Sequence, residues 1–184
     1  FSGIEEFTIQ KEFVSSKIAG ETVSLLSPAL VRVLDFAPEA GLVVLLHSDI
    51  DMPFPKPGQD PYLVVQMRDL IRRHPKTTII WAHIGLGRVV HPVGDQLAMM
   101  ERGLANLPNL HVDISWDETA KYLTATPETT AAIADLIDRY PDRFLLGTDE
   151  VAPPTQAKYL KVYDLYQPLF AKLSPEASEK LRKG

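Results

Sequence analysis

Three residues stand at the ends of short apolar runs where they could do chemistry: His47 after residues 42–46, His83 after residues 78–82, and Asp149 just past residues 143–147. Neutral imidazole and carboxylate are donor types that a borderline-soft ion such as Zn²⁺ accepts. Three protein donors with one open position define a catalytic rather than a structural zinc site, and water bound to such an ion is acidic enough to attack at neutral pH. The sequence has no cysteine, so disulfides and thiolate ligation are excluded and a metal has only His, Asp or Glu to hold it. Each residue also has an ordinary reading. A strand-end histidine is commonly a hydrogen-bonded structural residue, and Asp149 would make a good N-cap for a following helix.

Short apolar runs alternate with amphipathic stretches along the whole chain, which is the pattern of β/α units feeding a mostly parallel sheet. Strands are expected at residues 3–9, 42–46, 78–82, 110–115 and 143–147. Helix signals lie between them. Ser27 with Pro28, Asp60 with Pro61, and Thr126 with Pro127 each pair a capping residue with proline at the first helical position. Apolar stripes follow at Leu30, Val33, Leu34 and Ala37, at Leu63, Met67, Leu70 and Ile71, and at Ile133, Leu136, Ile137 and Tyr140. A further helix is expected around Leu97, Met100 and Leu104, and two more over residues 159–173 and 174–182. The Pro- and Gly-rich residues 51–59 and residues 116–126 read as βα loops.

An internal echo supports the repeat. Pro75, Pro108 and Pro141 each precede, by eight positions, a residue at an expected strand end: His83, Trp116 and Asp149, which are 33 residues apart in both intervals. Ankyrin arrays share that period but lack extended strands and carry a consensus absent here. A β/α barrel spends roughly 30 residues per unit over eight units, so 184 residues provide about five units. The expected fold is α/β, a partial (β/α)8 TIM barrel forming a single domain over residues 1–184, with strand ends converging on one mouth. An open doubly wound α/β domain is the alternative, and the Gly-rich fingerprint of its nucleotide-binding versions is absent.

The segments Leu45-Leu46-His47, Trp81-Ala82-His83-Ile84-Gly85, Val112-Asp113-Ile114-Ser115 and Leu146-Gly147-Thr148-Asp149 resemble the later strands of the amidohydrolase superfamily. More narrowly they resemble its amidohydrolase-related branch, which includes hydrolases and decarboxylases of the aminocarboxymuconate-semialdehyde type. The resemblance implies that the chain corresponds to the fourth through eighth barrel strands. It implies that His47 is a metal ligand, that His83 is a second ligand or the catalytic histidine that polarises the substrate, and that Asp149 binds metal and exchanges a proton with the attacking water. The implied cofactor is a divalent metal, zinc first. Glu6 stands where many relatives carry a fourth-strand acidic residue, and its ordinary reading is a salt-bridge partner. The family's first-strand His-x-His pair has no counterpart in these residues. The chain is therefore expected either to accompany an N-terminal segment in an intact protein or to self-associate as a homo-oligomer, and alone to hold metal weakly or not at all.

Trp116, Asp117 and Arg88 sit where substrate-binding residues are expected, Arg88 as a partner for a substrate carboxylate. His91 and His111 are read as solvated, and His74 as a helix-end cation. A net charge of −5 with scattered Lys and Arg argues against a nucleic-acid footprint. The longest apolar run, residues 41–46, is too short to span a bilayer. The expected partner is a small-molecule substrate and the expected location cytoplasmic. The leading activity is metal-dependent hydrolysis of a C–N or C–O bond. Non-oxidative decarboxylation is the second reading, and a catalytically inactive fragment or binding module the third.

Overall fold

A computed structural model of the chain describes residues 3–10, 24–50, 59–88, 90–92 and 94–183, with only the backbone of Glu5, Glu6 and Gln10. The loop expected at 51–59, apart from Gln59, and the side chain of Glu6 lie outside the described residues.

Five strands, β1 (Gly3–Gln10), β2 (Val43–Ser48), β3 (Ile79–Trp81), β4 (Leu110–Asp113) and β5 (Phe144–Leu145), form one sheet in sequence order. Every neighbouring pair is parallel, as consecutive β/α units in a barrel wall require. Between them run α1 (Pro28–Phe36), α2 (Tyr62–Arg73), α3 (Gln96–Asn106), α4 (Asp117–Leu123) and α5 (Pro127–Arg139). After β5 come α6 (Gln156–Leu160), a 3₁₀ segment (Lys161–Tyr166), α7 (Gln167–Phe170) and α8 (Pro175–Lys183).

Side chains alternate across a strand, and burial follows that period. Val44, Leu46, Ile79, Trp81, Leu110, Val112 and Phe144 are buried in one core with Leu34, Met67, Ile71, Met100, Leu104, Ile133 and Ile137 of the helices. Val43, Leu45, Ile80, His111 and Leu145, on the opposite face, are half-buried. That second face would be the inside of a barrel.

The echo in the sequence is a repeated turn. At the ends of α2, α3 and α5 the residues before the three prolines, His74, Leu107 and Tyr140, accept from Thr77, Leu110 and Arg143 N–H at 3.1, 3.1 and 3.0 Å. Proline cannot continue a helix, so each unit turns at the same point and delivers its strand at the same height. Asn109 fastens one turn to the next by donating to the carbonyls of Ile71, His74 and Thr77.

Several local expectations change. Ser27 makes no side-chain cap; Pro28 already opens the helix at a position where a missing N–H is harmless. Asp60 is not a cap either, because Pro61 takes the N-cap position. The stretch 159–173 breaks into three short pieces, since Pro168 lacks an N–H and crowds the preceding turn. The loop expected at 116–126 contains α4, whose signals are acids in its first turn and a 2.8 Å Lys121–Glu118 pair. His74 is buried against Asp35 at 3.0 Å. His111 is half-buried, with a buried Nδ1 that lacks a hydrogen-bond partner among the described residues. Burial, then the Arg143 charge, hold its pKa below the ordinary imidazole value.

Freed from capping, Asp60 joins two helices: Arg68 of α2 and Arg102 of α3 both donate to its carboxylate, the latter at 2.5 Å. Burial pushes its carboxyl up, but these hydrogen bonds and charges outweigh it and hold the pKa below the usual carboxylate range. A depressed folded pKa means that the contribution is present above the unfolded value near 3.8 and is lost as pH falls through the folded one. Asp60→Asn is therefore expected to lower stability by about 1–2 kcal/mol at pH 7. The difference from the parent should shrink as pH falls below the unfolded value near 3.8, as read from urea midpoints at neutral and acid pH.

Candidate active site at the strand ends

The three strand ends that the repeat aligns share a backbone feature. His83, Trp116 and Asp149 all have positive φ, at 54°, 89° and 47°. Ile84 (49°) and Gly85 (71°) extend the left-handed stretch after β3. Such conformations cost roughly 1–3 kcal/mol each for non-glycine residues, and they cluster where a side chain must be aimed. Trp116, with ψ of 142°, lies in a region that ordinarily belongs to glycine. Here the turn lifts each residue out of the ladder at the same point of its unit.

The lifted side chains meet. The His47 and His83 rings pack edge to face with centroids 4.9 Å apart. The His83 Nε2 lies 3.5 Å from Asp149 Oδ2, and the Trp116 ring is tilted against His83 at 5.1 Å. The exposed Arg88 places its guanidinium over Trp116, 5.0 Å from the ring centroid. Asp117 stays at the edge: it starts α4 and its carboxylate lies 3.6 Å from Lys121 Nζ. Asp149 caps no helix, because α6 begins at Gln156 with Thr155 as its N-cap.

Around these lie residues that the sequence reading did not place in a site. Asp49, buried, meets His47 Nε2 at 3.0 Å. Asp113, also buried, accepts from the His83 N–H at 3.3 Å and from the Ser115 hydroxyl at 2.6 Å. The Ser115 carbonyl lies 3.2 Å from His83 Nδ1. From beneath, the fully buried Tyr166 donates to the carbonyls of Ile114 and, at 2.9 Å, Trp116. Burial, followed by the charges of Asp113, Asp117 and Asp149, pushes the Tyr166 phenol well above its ordinary pKa, so it remains a donor. Tyr166→Phe leaves two carbonyls short of a donor and is expected to destabilise the fold by about 1–3 kcal/mol, measurable as a lowered thermal midpoint.

The fit of a metal can be tested on His83. Its Nδ1 faces two acceptors, the Ser115 carbonyl and the Asp113 carboxylate at 3.3 Å, an arrangement that favours the ring proton on Nδ1 and the lone pair on Nε2. Nε2 is buried, has no hydrogen-bond partner among the described residues, and faces the Asp149 carboxylate. Two acceptors opposed in this way suit a cation between them. The expected trio of His47, His83 and Asp149 is not a ready cage, however. Among the described residues no three His, Asp or Glu group closely enough to hold an ion, and His47 Nε2 is engaged by Asp49. The donor chemistry fits as part of a ligand set.

Comparison with known proteins agrees with this architecture. A family model described as amidohydrolase matches residues 13–184. Among solved structures, the chain is similar to an amidohydrolase from Burkholderia multivorans with bound zinc at a TM-score of 0.58 and 15% identity, covering 98% of this chain and 69% of that one. It is also similar to an uncharacterised TIM-barrel protein from Bordetella bronchiseptica (TM-score 0.57, 17% identity, 88% and 50% covered). A dihydroorotase from Campylobacter jejuni gives 0.57 at 14% identity, with 95% and 54% covered. These likenesses establish the partial TIM-barrel fold, and the chain spans about half the length of the latter two. No curated protein matches the chain significantly. No helix among the described residues is long and apolar enough to cross a membrane.

Proposed function

Because the chain belongs to the amidohydrolase family, whose model spans residues 13–184, we propose that its strand-end site serves metal-assisted hydrolysis of a C–N or C–O bond in a small cytosolic substrate. The observation that carries this reading is the buried, bare Nε2 of His83 facing the Asp149 carboxylate at 3.5 Å beside the His47 ring. His83, His47 and Asp149 would hold a divalent ion, zinc by donor type, His47 by releasing Asp49. When bound, that ion supplies Lewis acidity and an acidified water.

The chain's own residues do the rest. Asp149, an ionisable carboxylate at the mouth, takes a proton from the attacking water as its oxygen bonds to the carbonyl carbon, then returns it to the departing nitrogen or oxygen as that bond breaks. With its proton on Nδ1, His83 would serve through Nε2 as a ligand rather than as a donor that polarises the carbonyl. The Trp116 ring walls one side of the mouth, and Arg88, held over it, offers a guanidinium fork to an anionic substrate group.

That same Arg88–Trp116 pair supports non-oxidative decarboxylation as the second reading, since a carboxylated substrate would be oriented by it. Incubating the zinc-loaded protein in ¹⁸O-water with a panel of lactones, amides and aromatic acids separates the two. Label in a product carboxylate supports hydrolysis, and carbon dioxide release with no label in the remaining organic product supports decarboxylation. Neither, with zinc bound, would leave the inactive binding module standing and overturn the proposal.

A further inference from the structure

We propose that Asp113 is a positioning residue that fixes the His83 imidazole in its Nδ1-protonated form, so that a bare Nε2 is presented between His47 and Asp149. The inference rests on reading His83 as part of the site. Asp113 ends β4, two residues before Ser115, whose N–H and hydroxyl both reach back to its carboxylate. Its Oδ1 accepts from the Ser115 N–H at 3.1 Å and from the Ser115 hydroxyl at 2.7 Å. Its Oδ2 receives the same hydroxyl at 2.6 Å and the His83 N–H at 3.3 Å, and stands 3.3 Å from His83 Nδ1. The Ser115 carbonyl, at 3.2 Å, is a second acceptor on that side of the ring.

One buried carboxylate therefore does two things at His83. It satisfies the N–H that left-handed backbone at φ 54° and ψ 23° turns toward β4, and it makes Nδ1 the favoured place for the ring proton. Were the proton on Nε2, it would meet one acceptor, the Asp149 carboxylate at 3.5 Å, while the Nδ1 lone pair would face two, the Asp113 carboxylate at 3.3 Å and the Ser115 carbonyl at 3.2 Å. A hydrogen bond to a charged acceptor is strong enough to bias the tautomer ratio by about ten- to a hundredfold. His47 and Trp116 touch the ring as aromatic contacts, and Asp149 is a single, longer contact on the Nε2 side. The bias toward Nδ1–H therefore comes from the two closer acceptors on the Asp113–Ser115 side.

Asparagine at this position is a sharp test. Whichever way its amide is turned, an NH₂ opposes either the Ser115 N–H or the His83 N–H and Nδ1. Long-range ¹H–¹⁵N spectra of ¹⁵N-histidine-labelled protein, with chelator present and at alkaline pH where the His83 nitrogen shifts no longer change with pH, report the tautomer directly. His83 signals are identified by their loss in His83→Ala. The parent is expected in the Nδ1–H form, Asp113→Asn shifted toward Nε2–H by about tenfold or more, and Ser115→Ala unchanged. An Nε2–H parent, an Asp113→Asn spectrum like the parent's, or a Ser115→Ala spectrum shifted as far as that of Asp113→Asn would overturn the proposal. Should Asp113→Asn fail to fold, the parent spectrum and Asp113→Ala carry the same decision. A merely structural carboxylate would alter stability without moving the proton between ring nitrogens. Because no metal or substrate is present, a wrong tautomer sinks the positioning role alone, and absent hydrolysis with the right tautomer sinks the functional reading alone.

Discussion

Replacing His83 with Ala is expected to lower metal-dependent turnover by at least about 10–100-fold, since even an outer partner of a metal ligand contributes that much to affinity or activity. The size follows from its position. His83 is 2% exposed, contacts the His47 ring and stands 3.5 Å from Asp149, so its loss removes a donor that no other described histidine can replace. Asp149→Asn, which retains shape but cannot accept the water's proton, should produce a loss of the same order. Steady-state rates on whichever ester or amide the labelled-water panel identifies give the comparison, with circular dichroism showing that both variants remain folded. Turnover within a few-fold of the parent for His83→Ala would remove that residue from the mechanism.

The largest stability effect is expected at a residue that performs no chemistry. Gly85 has φ of +71°, and a Cβ placed there would lie 2.6 Å from the Trp81 ring and 2.8 Å from the Ile50 methyl. Its carbonyl also accepts from the Ile50 N–H at 2.8 Å, which ties the end of β2 to the turn that carries His83. Gly85→Ala combines a disfavoured left-handed alanine with overpacking of a buried indole, whose Nε1 donates to the Ser48 carbonyl at 2.7 Å. The expected loss is about 2–4 kcal/mol, seen as a lower urea midpoint. A stability unchanged within roughly half a kcal/mol would show that the turn rearranges freely, and that the placement of His83 does not depend on it.

The order and direction of the strands were legible because each unit ends its helix at a proline and opens its strand after a fixed count, a pattern that local chemistry dictates. Strand lengths were less so. Apolar residues continue past Trp81 and Asp113, but the ladder stops there, since β4 ends at Asp113, the partner of Leu145, and the chain after β3 turns left-handed. His83, Trp116 and Asp149 could be expected at one mouth from the repeat, and His47 from its place at the end of an apolar strand run. Asp49 and Asp113 carried a signal that was available: each sits two residues from another polar residue, His47 or Ser115, and residues at that interval share a strand face. Tyr166 carried none, because its bonds to Ile114 and Trp116 bridge 52 and 50 residues. Asp60 misled for a physical reason, since an Asp-Pro pair reads as a cap while two arginines on separate helices compete for the same carboxylate.

The account turns on whether His47, His83 and Asp149 act on one metal ion. Zinc titration of the chelator-stripped protein, followed by competition with a zinc indicator and run in parallel on His47→Ala, His83→Ala and Asp149→Ala, tests this most directly. Any saturable binding in the parent is expected to be weak, because the ligand set is only partial, and to fall by at least about tenfold in each variant, since removing even an outer partner of a zinc ligand typically costs 10–100-fold. Zinc affinity that is the same with all three side chains removed one at a time would contradict a shared ion.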